Sequence, residues 1–255
     1  LRYILLAGEK LPLAMVKRYD SFNITPILVN IYGPTEATVY SSYYEVTDTS
    51  SLGSSVPIGK PLTNANIYLL DTEGNLLPQG VVGELCIGGR GVASGYLNKD
   101  VLTEEKFVKD PFISGGRMYR TGDLGRWFPD GTIEFIGRKD HQVKIRGYRI
   151  ELGEIEFQIQ KIDSIKSSTV IVRKDALGND QLVAYVITKE VDLNVDAIRE
   201  QLLGSLPEYM VPQFYVKIEA FPLTISGKID RKRFPEFSAS SFKKEYVAPV
   251  SDTEV

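Results

Sequence analysis

The sequence predicts an α/β chain with α+β character, built in two parts. Three observations carry this expectation. Short runs rich in β-branched and aromatic residues recur between turn signals over about residues 55–137, which gives a small β subdomain. Beyond Asp140 the pattern changes to strands alternating with amphipathic helices, which gives a small α/β domain over about residues 141–235. Between the two lies Gly137–Glu156, GRKDHQVKIRGYRIELGEIE, where charged residues crowd around glycines and run into an amphipathic stretch.

The elements follow in order. Leu1–Leu6 is a buried strand with Ala7-Gly8-Glu9 as its exit turn, and Leu13–Tyr19 is a short helix after Pro12. Pro26–Ile31 and Thr38–Val46 are strands, the second rich in β-branched residues and tyrosine. Thr47–Ser55 is a polar loop. Asn66–Leu70 and Val82–Ile87 are strands around the turn Asp71–Gly74, and Pro129-Asp130-Gly131 turns a hairpin between Trp127–Phe128 and Thr132–Ile136. Gln142–Ile145 is a short strand ended by Gly147. Leu152, Ile155, Ile159 and Ile162 repeat at helical spacing, so Glu151–Ile162 is an amphipathic helix, with Glu151 and Glu154 suited to its positive end. Thr169–Arg173, Leu182–Thr188 and Phe214–Ile218 are strands. Val195, Ile198 and Leu202 mark a second helix that stops near Pro207.

Composition narrows the function classes. Of 255 residues 43% are hydrophobic and 25% charged, as in ordinary globular chains, and the net charge of −3 argues against bulk nucleic-acid binding. The single cysteine, Cys86, rules out an intrachain disulfide and fits a reducing cytoplasm. No apolar run approaches membrane-spanning length, so no membrane partner is expected. Cys86 alternates with Leu85 and Ile87 and reads as a core thiol. His141, the only histidine, has no catalytic partner at motif spacing, and no metal-ligand cluster is visible.

The Gly137–Glu156 stretch resembles the hinge segment of the adenylate-forming enzymes, in the version found in adenylation domains of nonribosomal peptide synthetases. Asn30–Glu36 (NIYGPTE), Gly83–Leu97 (GELCIGGRGVASGYL), Tyr119–Leu124 (YRTGDL), Leu206–Pro212 (LPEYMVP) and Ser226–Lys232 (SGKIDRK) are similar to that family's motifs and stand in its order. The resemblance implies that residues 1–139 are the rear of the large adenylation subdomain, 140–236 a small mobile subdomain with the catalytic lysine, and 237–255 a linker toward a carrier domain. It implies ATP and Mg²⁺, with phosphopantetheine on the partner carrier domain. The expected substrate is an amino acid, and the expected neighbours are other synthetase domains. An acyl- or aryl-CoA ligase of the same superfamily and a non-catalytic docking fragment are the alternatives.

The resemblance also implies roles for individual residues. Tyr32 offers a flat face to adenine, Asn30 reaches its edge, Gly33 sets the turn, Thr35 lies near the α-phosphate and Glu36 is the Mg²⁺ ligand. Asp123 accepts from the ribose hydroxyls, and Arg138 supports ribose or phosphate. Phe135 stands where relatives often have tyrosine. Lys228 bridges the substrate carboxylate and the α-phosphate. Asp140 is the hinge, and Lys144 and Gly147 lie on a face shown to the thiolation partner. Leu5, Ala7, Ile31, Val39 and Tyr40 line the substrate pocket and favour a hydrophobic side chain. The Gly83–Leu97 glycines are expected to serve structural turns. Phe234-Pro235-Glu236-Phe237 departs from the usual Leu-Pro-x-Pro after the lysine loop.

Overall fold

The structure, a computed structural model, describes every residue except 23, 24, 51, 54, 141, 176, 177, 191, 225, 226, 228 and 238–255. The chain divides into two compact units, Leu1–Asp140 and His141–Val255.

The first unit opens with β1 (Tyr3–Leu6), α1 (Leu13–Asp20), β2 (Ile27–Tyr32), β3 (Ser42–Val46) and β4 (Lys60–Pro61). They form one sheet in the order β1-β2-β3-β4, with β1 parallel to β2 and the remaining pairs antiparallel. Helix α1 starts after Pro12, ends with Lys17 and Arg18 in its last turn where the dipole favours cations, and buries Val16. Ile4, Leu6, Leu28, Tyr44 and Val46 share the sheet face packed on Val16, Leu11, Leu52 and Val56.

The β subdomain follows: β5 (Ala65–Leu70), β6 (Gly83–Gly89), α2 (Asp100–Lys106), β7 (Phe107–Lys109), β8 (Arg117–Trp127) and β9 (Ile133–Arg138). Its sheet runs β5-β6-β8-β7, and β9 also pairs with β8. Ile67, Leu69, Leu85, Ile87 and Ile133 form its core. The expected turn after Trp127 is present: Phe128 N donates to Thr132 O (2.7 Å) and Gly131 N to Phe128 O (3.0 Å). Cys86 is fully buried, and burial, with Glu84 nearby, pushes its thiol up to about 12, as expected of a core residue. Gly59 connects the two sheets. Its carbonyl accepts from Ile133 N (2.9 Å), and an added Cβ would stand 1.7 Å from Tyr43 O.

The second unit contains β10 (Val143–Ile145), β11 (Tyr148–Ile150), α3 (Leu152–Gln160), β12 (Ile165–Lys174), β13 (Asp180–Thr188), α4 (Val195–Leu203) and β14 (Phe214–Lys217). β12 and β13 are antiparallel. β14 joins β13 in parallel, the direction that a crossover through α4 permits. Leu152, Ile155 and Ile159 of α3 and Ile198 and Leu202 of α4 pack on Val170, Leu182, Ala184, Val186 and Tyr215. The Asn194 side chain caps α4 by accepting from Ala197 N (3.0 Å). The opposite sheet face, Ile171, Val183 and Tyr185, is covered by Phe221, Ile229, Phe234 and Phe237. Phe234 and Phe237 therefore act as apolar anchors: Phe234 lies 4.5 Å from the Tyr185 ring and Phe237 4.9 Å from Phe214.

Two sequence expectations are corrected. The strand expected at Thr38–Val46 begins at Ser42, because Thr35–Ala37 forms a 3₁₀ turn and Thr38 (φ 59°) and Val39 (φ 69°) are left-handed. The longest strand of the first unit, β8, was expected only at its last residue, Trp127.

This packing has consequences for two glycines and for one buried carboxylate. Gly59→Ala combines a left-handed φ of +83° with a backbone clash, and should cost roughly 2–4 kcal/mol in urea unfolding. Gly153→Ala in α3 meets no atom within 4 Å and should stabilise the chain by up to about 1 kcal/mol. Glu134 is buried, which pushes its carboxyl up, but Ser55 and Arg126 outweigh burial and hold it below the usual range. Its contribution is complete above the unfolded value of about 4.3 and is lost as pH falls through the depressed folded value. The Tm of the parent should drop more steeply between about pH 5 and 3 than that of Glu134→Gln.

Candidate functional site

The site of the first unit is built on an irregularity in β8. Glu84 pairs with Leu124 and Cys86 with Arg120, so Thr121, Gly122 and Asp123 together face the single Leu85. Thr121 fixes this bulge: its Oγ1 donates to Leu85 O (2.7 Å) and accepts from Asp123 N (2.9 Å). Gly122 has φ +73°, and a Cβ there would come within 3.0 Å of Arg138 Nη2 and Asp140 Oδ2.

The bulge presents the buried Asp123 carboxylate to two donors. Tyr32 OH donates to Oδ2 (2.6 Å) and Arg138 Nη1 to Oδ1 (2.7 Å). Arg138 also grips Asp140 with a bidentate fork, Nε to Oδ1 (2.7 Å) and Nη2 to Oδ2 (2.6 Å). Burial first, then the charge and hydrogen bond of Asp123, push the Tyr32 hydroxyl well above its ordinary value, so Tyr32 remains a neutral donor. The Arg138 and Asp123 side chains are 15% and 10% exposed. At that burial, desolvation offsets much of the attraction, so the pair aligns the site more than it stabilises the fold.

Glu36 forms a second centre. It is buried on the 3₁₀ turn, and its Oε1 accepts from Tyr96 OH (2.7 Å) and Tyr119 OH (2.9 Å). Phe107 packs against both tyrosine rings, at 5.2 and 5.0 Å. Burial, then the Tyr119 and Glu36 contacts, raise the Tyr96 hydroxyl, which stays a proton donor. Among the described residues no group of three His, Cys, Asp or Glu side chains could hold a metal by itself. The Glu36 carboxylate fits Mg²⁺ that would arrive on nucleotide phosphates and keep water and phosphate oxygens as other ligands.

The remaining predicted residues fall in several places. Asn30 is buried and donates from Nδ2 to Pro57 O (2.7 Å). Gly33 admits a close chain passage, since a Cβ would lie 2.6 Å from Val39 O and 2.7 Å from Ser41 N. Thr35 is exposed on the turn. The Phe135 ring lies 6.2 Å from that of Tyr32. Of the five pocket residues, Leu5 shares a sheet face with Val29, and Ile31 follows Val29 on the same face. Ile31 is buried and Leu5 and Ala7 are exposed. Val39 and Tyr40 are exposed on the left-handed turn, and Tyr40 also lines a cleft of about 170 Å³ with Leu62, Ile87 and Val92. In the second unit Lys144 is exposed on β10 and Gly147 (φ +80°) turns the β10–β11 hairpin. Lys228, His141 and residues 238–255 lie outside the described residues.

Sequence reasoning missed Tyr96 and Tyr119. Both sat in quoted motifs, and a tyrosine closing a glycine-rich stretch (SGYL) was the available signal. It also missed the strain at Thr38 and Val39. β-branched residues at positive φ cost about 1–3 kcal/mol each and mark functional turns.

Comparison with known proteins gives the family. The family model described as AMP-binding enzyme matches residues 1–97, and that of the AMP-binding enzyme C-terminal domain matches residues 154–228. Gramicidin S synthase 2 of Brevibacillus brevis is 54% identical over 237 residues, which cover 92% of this chain and 5% of the relative. Bacitracin synthase 3 of Bacillus licheniformis is 46% identical over 255 residues, 100% of this chain and 4% of the relative. The chain thus spans a small fraction of the length of these curated relatives. A solved NRPS protein containing adenylation and PCP domains, holo-PA1221 bound to a vinylsulfonamide inhibitor, matches with a TM-score of 0.80 at 35% identity, covering 91% of this chain and 40% of that one. The Vibrio cholerae adenylation domain AlmE, in complex with glycyl-adenosine-5′-phosphate, matches with a TM-score of 0.78 at 28% identity, covering 90% and 43%. The motifs in their order, the two matched family models and the shared fold together establish that the chain belongs to the AMP-binding, adenylate-forming enzymes, as part of an adenylation domain of the nonribosomal peptide synthetase type.

Proposed function

We propose that this chain supplies the rear of an amino-acid-activating adenylation domain. In the proposed reaction an amino-acid carboxylate oxygen bonds to the α-phosphorus of ATP, the bond to the β-phosphate oxygen breaks and pyrophosphate leaves. A phosphopantetheine thiol on a carrier domain then attacks the acyl carbon and AMP departs. The observation that carries this reading is the Tyr32–Asp123–Arg138–Asp140 series, which ties the NIYGPTE loop to the last residues of the first unit.

The residues of this chain divide the work. Asp123, an acceptor held by Tyr32 and Arg138, would accept from the ribose hydroxyls. Its position is set before nucleotide arrives, so little ordering remains to oppose binding. Tyr32 and Asn30 flank adenine, and Thr35 lies near the α-phosphate. Glu36, held by two tyrosine hydroxyls, would take Mg²⁺, which supplies charge neutralisation on the phosphates when bound. Leu5, Ala7, Ile31, Val39 and Tyr40 accept a hydrophobic amino-acid side chain.

Lys228 supplies the mobile positive charge for the transition state. The described residues around its position support this. Leu223 and Ile229 form an antiparallel bridge, Gly227 N donates to Thr224 O (2.9 Å) and Asp230 N to Pro222 O (2.8 Å). These contacts bring Leu223 and Ile229 together and fix Gly227 and Asp230. Arg173 Nη2 donates to Phe234 O (3.2 Å) and Tyr185 OH to Pro235 O (2.7 Å), which fastens the segment just after it.

In the full-length synthetase carrying this segment, Lys228→Ala should lower amino-acid-dependent pyrophosphate exchange by ~10²–10³. It should largely spare thiol loading from preformed adenylate. Equal losses in both half-reactions would contradict the role. A second experiment addresses the hinge. Asp140→Pro restricts φ, whereas Asp140→Ala removes the side chain that forks to Arg138 and leaves the backbone free. Single-turnover assays should show adenylate formation surviving in both, with thiol loading slowed in Asp140→Pro and in Lys144→Glu but not in Asp140→Ala. Parental thiol loading in both Asp140→Pro and Lys144→Glu would refute a two-orientation cycle.

A further inference from the structure

We propose that Glu84 is the positioning residue of the nucleotide site, holding the β8 bulge so that Asp123 meets the ribose hydroxyls. This rests on the reading of Asp123 as the ribose acceptor. Glu84 belongs to the GELCIGG run whose glycines suggested only structural turns. It is 7% exposed, on the central strand β6.

Three contacts converge on its carboxylate. Gly122 N donates to Oε1 (3.3 Å), Arg120 Nη2 to Oε2 (2.6 Å), and Lys139 Nζ lies 3.5 Å from Oε2. The bulge takes Gly122 out of the regular ladder, and a buried N–H must find another acceptor. Glu84 supplies it from the facing strand. The other two contacts explain why an ionised side chain stands here. Arg120 lies just before the bulge, and Lys139 just beyond Arg138 on the neighbouring strand. Lys139 N also donates to Gly122 O (2.8 Å). One carboxylate thus holds the residue before Asp123 and the residue after Arg138, the two partners of the site. Burial pushes the Glu84 carboxyl up, but Arg120, Lys139 and Gly122 N outweigh it and hold it below the usual range. The anchor is therefore charged at neutral pH.

The chemistry predicts a selective defect. A misplaced Asp123 loses its ribose bonds and leaves contacts elsewhere on the nucleotide intact. In the full-length synthetase, pyrophosphate exchange is measured with ATP and with 2′,3′-dideoxy-ATP for the parent, Asp123→Asn, Glu84→Gln and Glu84→Asp. Glu84→Gln should raise KM for ATP by about tenfold, leave KM for the dideoxy nucleotide nearly unchanged and change kcat little. Glu84→Asp keeps the charge opposite Arg120 and Lys139 but withdraws the oxygen from Gly122. It provides the same test, with a smaller loss of preference for ATP, if Glu84→Gln does not fold. A Glu84 variant that keeps the parental preference, or raises KM equally for both nucleotides, overturns the proposal. Asp123→Asn separates the two ideas. If it abolishes the preference, the ribose reading stands whatever Glu84 does. If it retains the preference, the ribose reading fails and the proposal falls with it.

Discussion

A buried carboxylate has to be held by hydrogen-bond donors, and Asp123 meets that constraint. Tyr32 and Arg138 each donate a hydrogen bond to it, one to each carboxylate oxygen. The bulge that presents it needs Thr121 to replace ladder bonds and Gly122 to pass beneath Arg138 and Asp140. These demands reach far along the chain: Tyr32 ends β2, Asp123 sits in β8 and Arg138 ends β9. The parallel pairing of β1 and β2, the Gly59 junction and the β8–β9 hairpin all serve to bring these three residues to one place. Because removing one member strands a buried charge at about 3–5 kcal/mol, the arrangement is intolerant of piecemeal change.

Glu36 shows the same economy with neutral donors. Tyr96 and Tyr119 orient one carboxylate oxygen through their hydroxyls. The second unit solves a different problem. Its sheet buries one face under α3 and α4 and covers the other with Phe221, Ile229, Phe234 and Phe237. Phe234 and Phe237 anchor that segment by area and ring packing, while Arg173 and Tyr185 take its carbonyls.

Much of this was legible in the sequence, for identifiable reasons. The helix through Leu152, Ile155 and Ile159 has a clean apolar period, the Pro129-Asp130-Gly131 turn has one dominant solution, and Cys86 alternates with core residues. Strand β8 was missed because Arg117–Trp127 has no alternation to read: its middle is Thr-Gly-Asp, residues that ordinarily signal a turn, and here they form the bulge. Thr38 and Val39 misled in the opposite sense, since β-branched residues favour strands and here occupy left-handed positions. Individual site residues stood out through motifs, but their partners did not. Nothing local in YRTGDL announces that Asp123 will meet a tyrosine 91 residues earlier. The exposure of Leu5 likewise depends on which sheet face is covered, which alternation alone does not reveal.

The central claim is that Asp123 is prearranged to receive a nucleotide ribose. A crystal structure of the full adenylation domain carrying this segment, with its aminoacyl-adenylate or a non-hydrolysable analogue bound, tests it most directly. The account predicts both ribose hydroxyls within about 2.5–3.0 Å of the Asp123 carboxylate, with Tyr32 and Arg138 still bonded to it. A ribose held by other residues, or an Asp123 that must leave Tyr32 and Arg138 before it reaches the nucleotide, would contradict it.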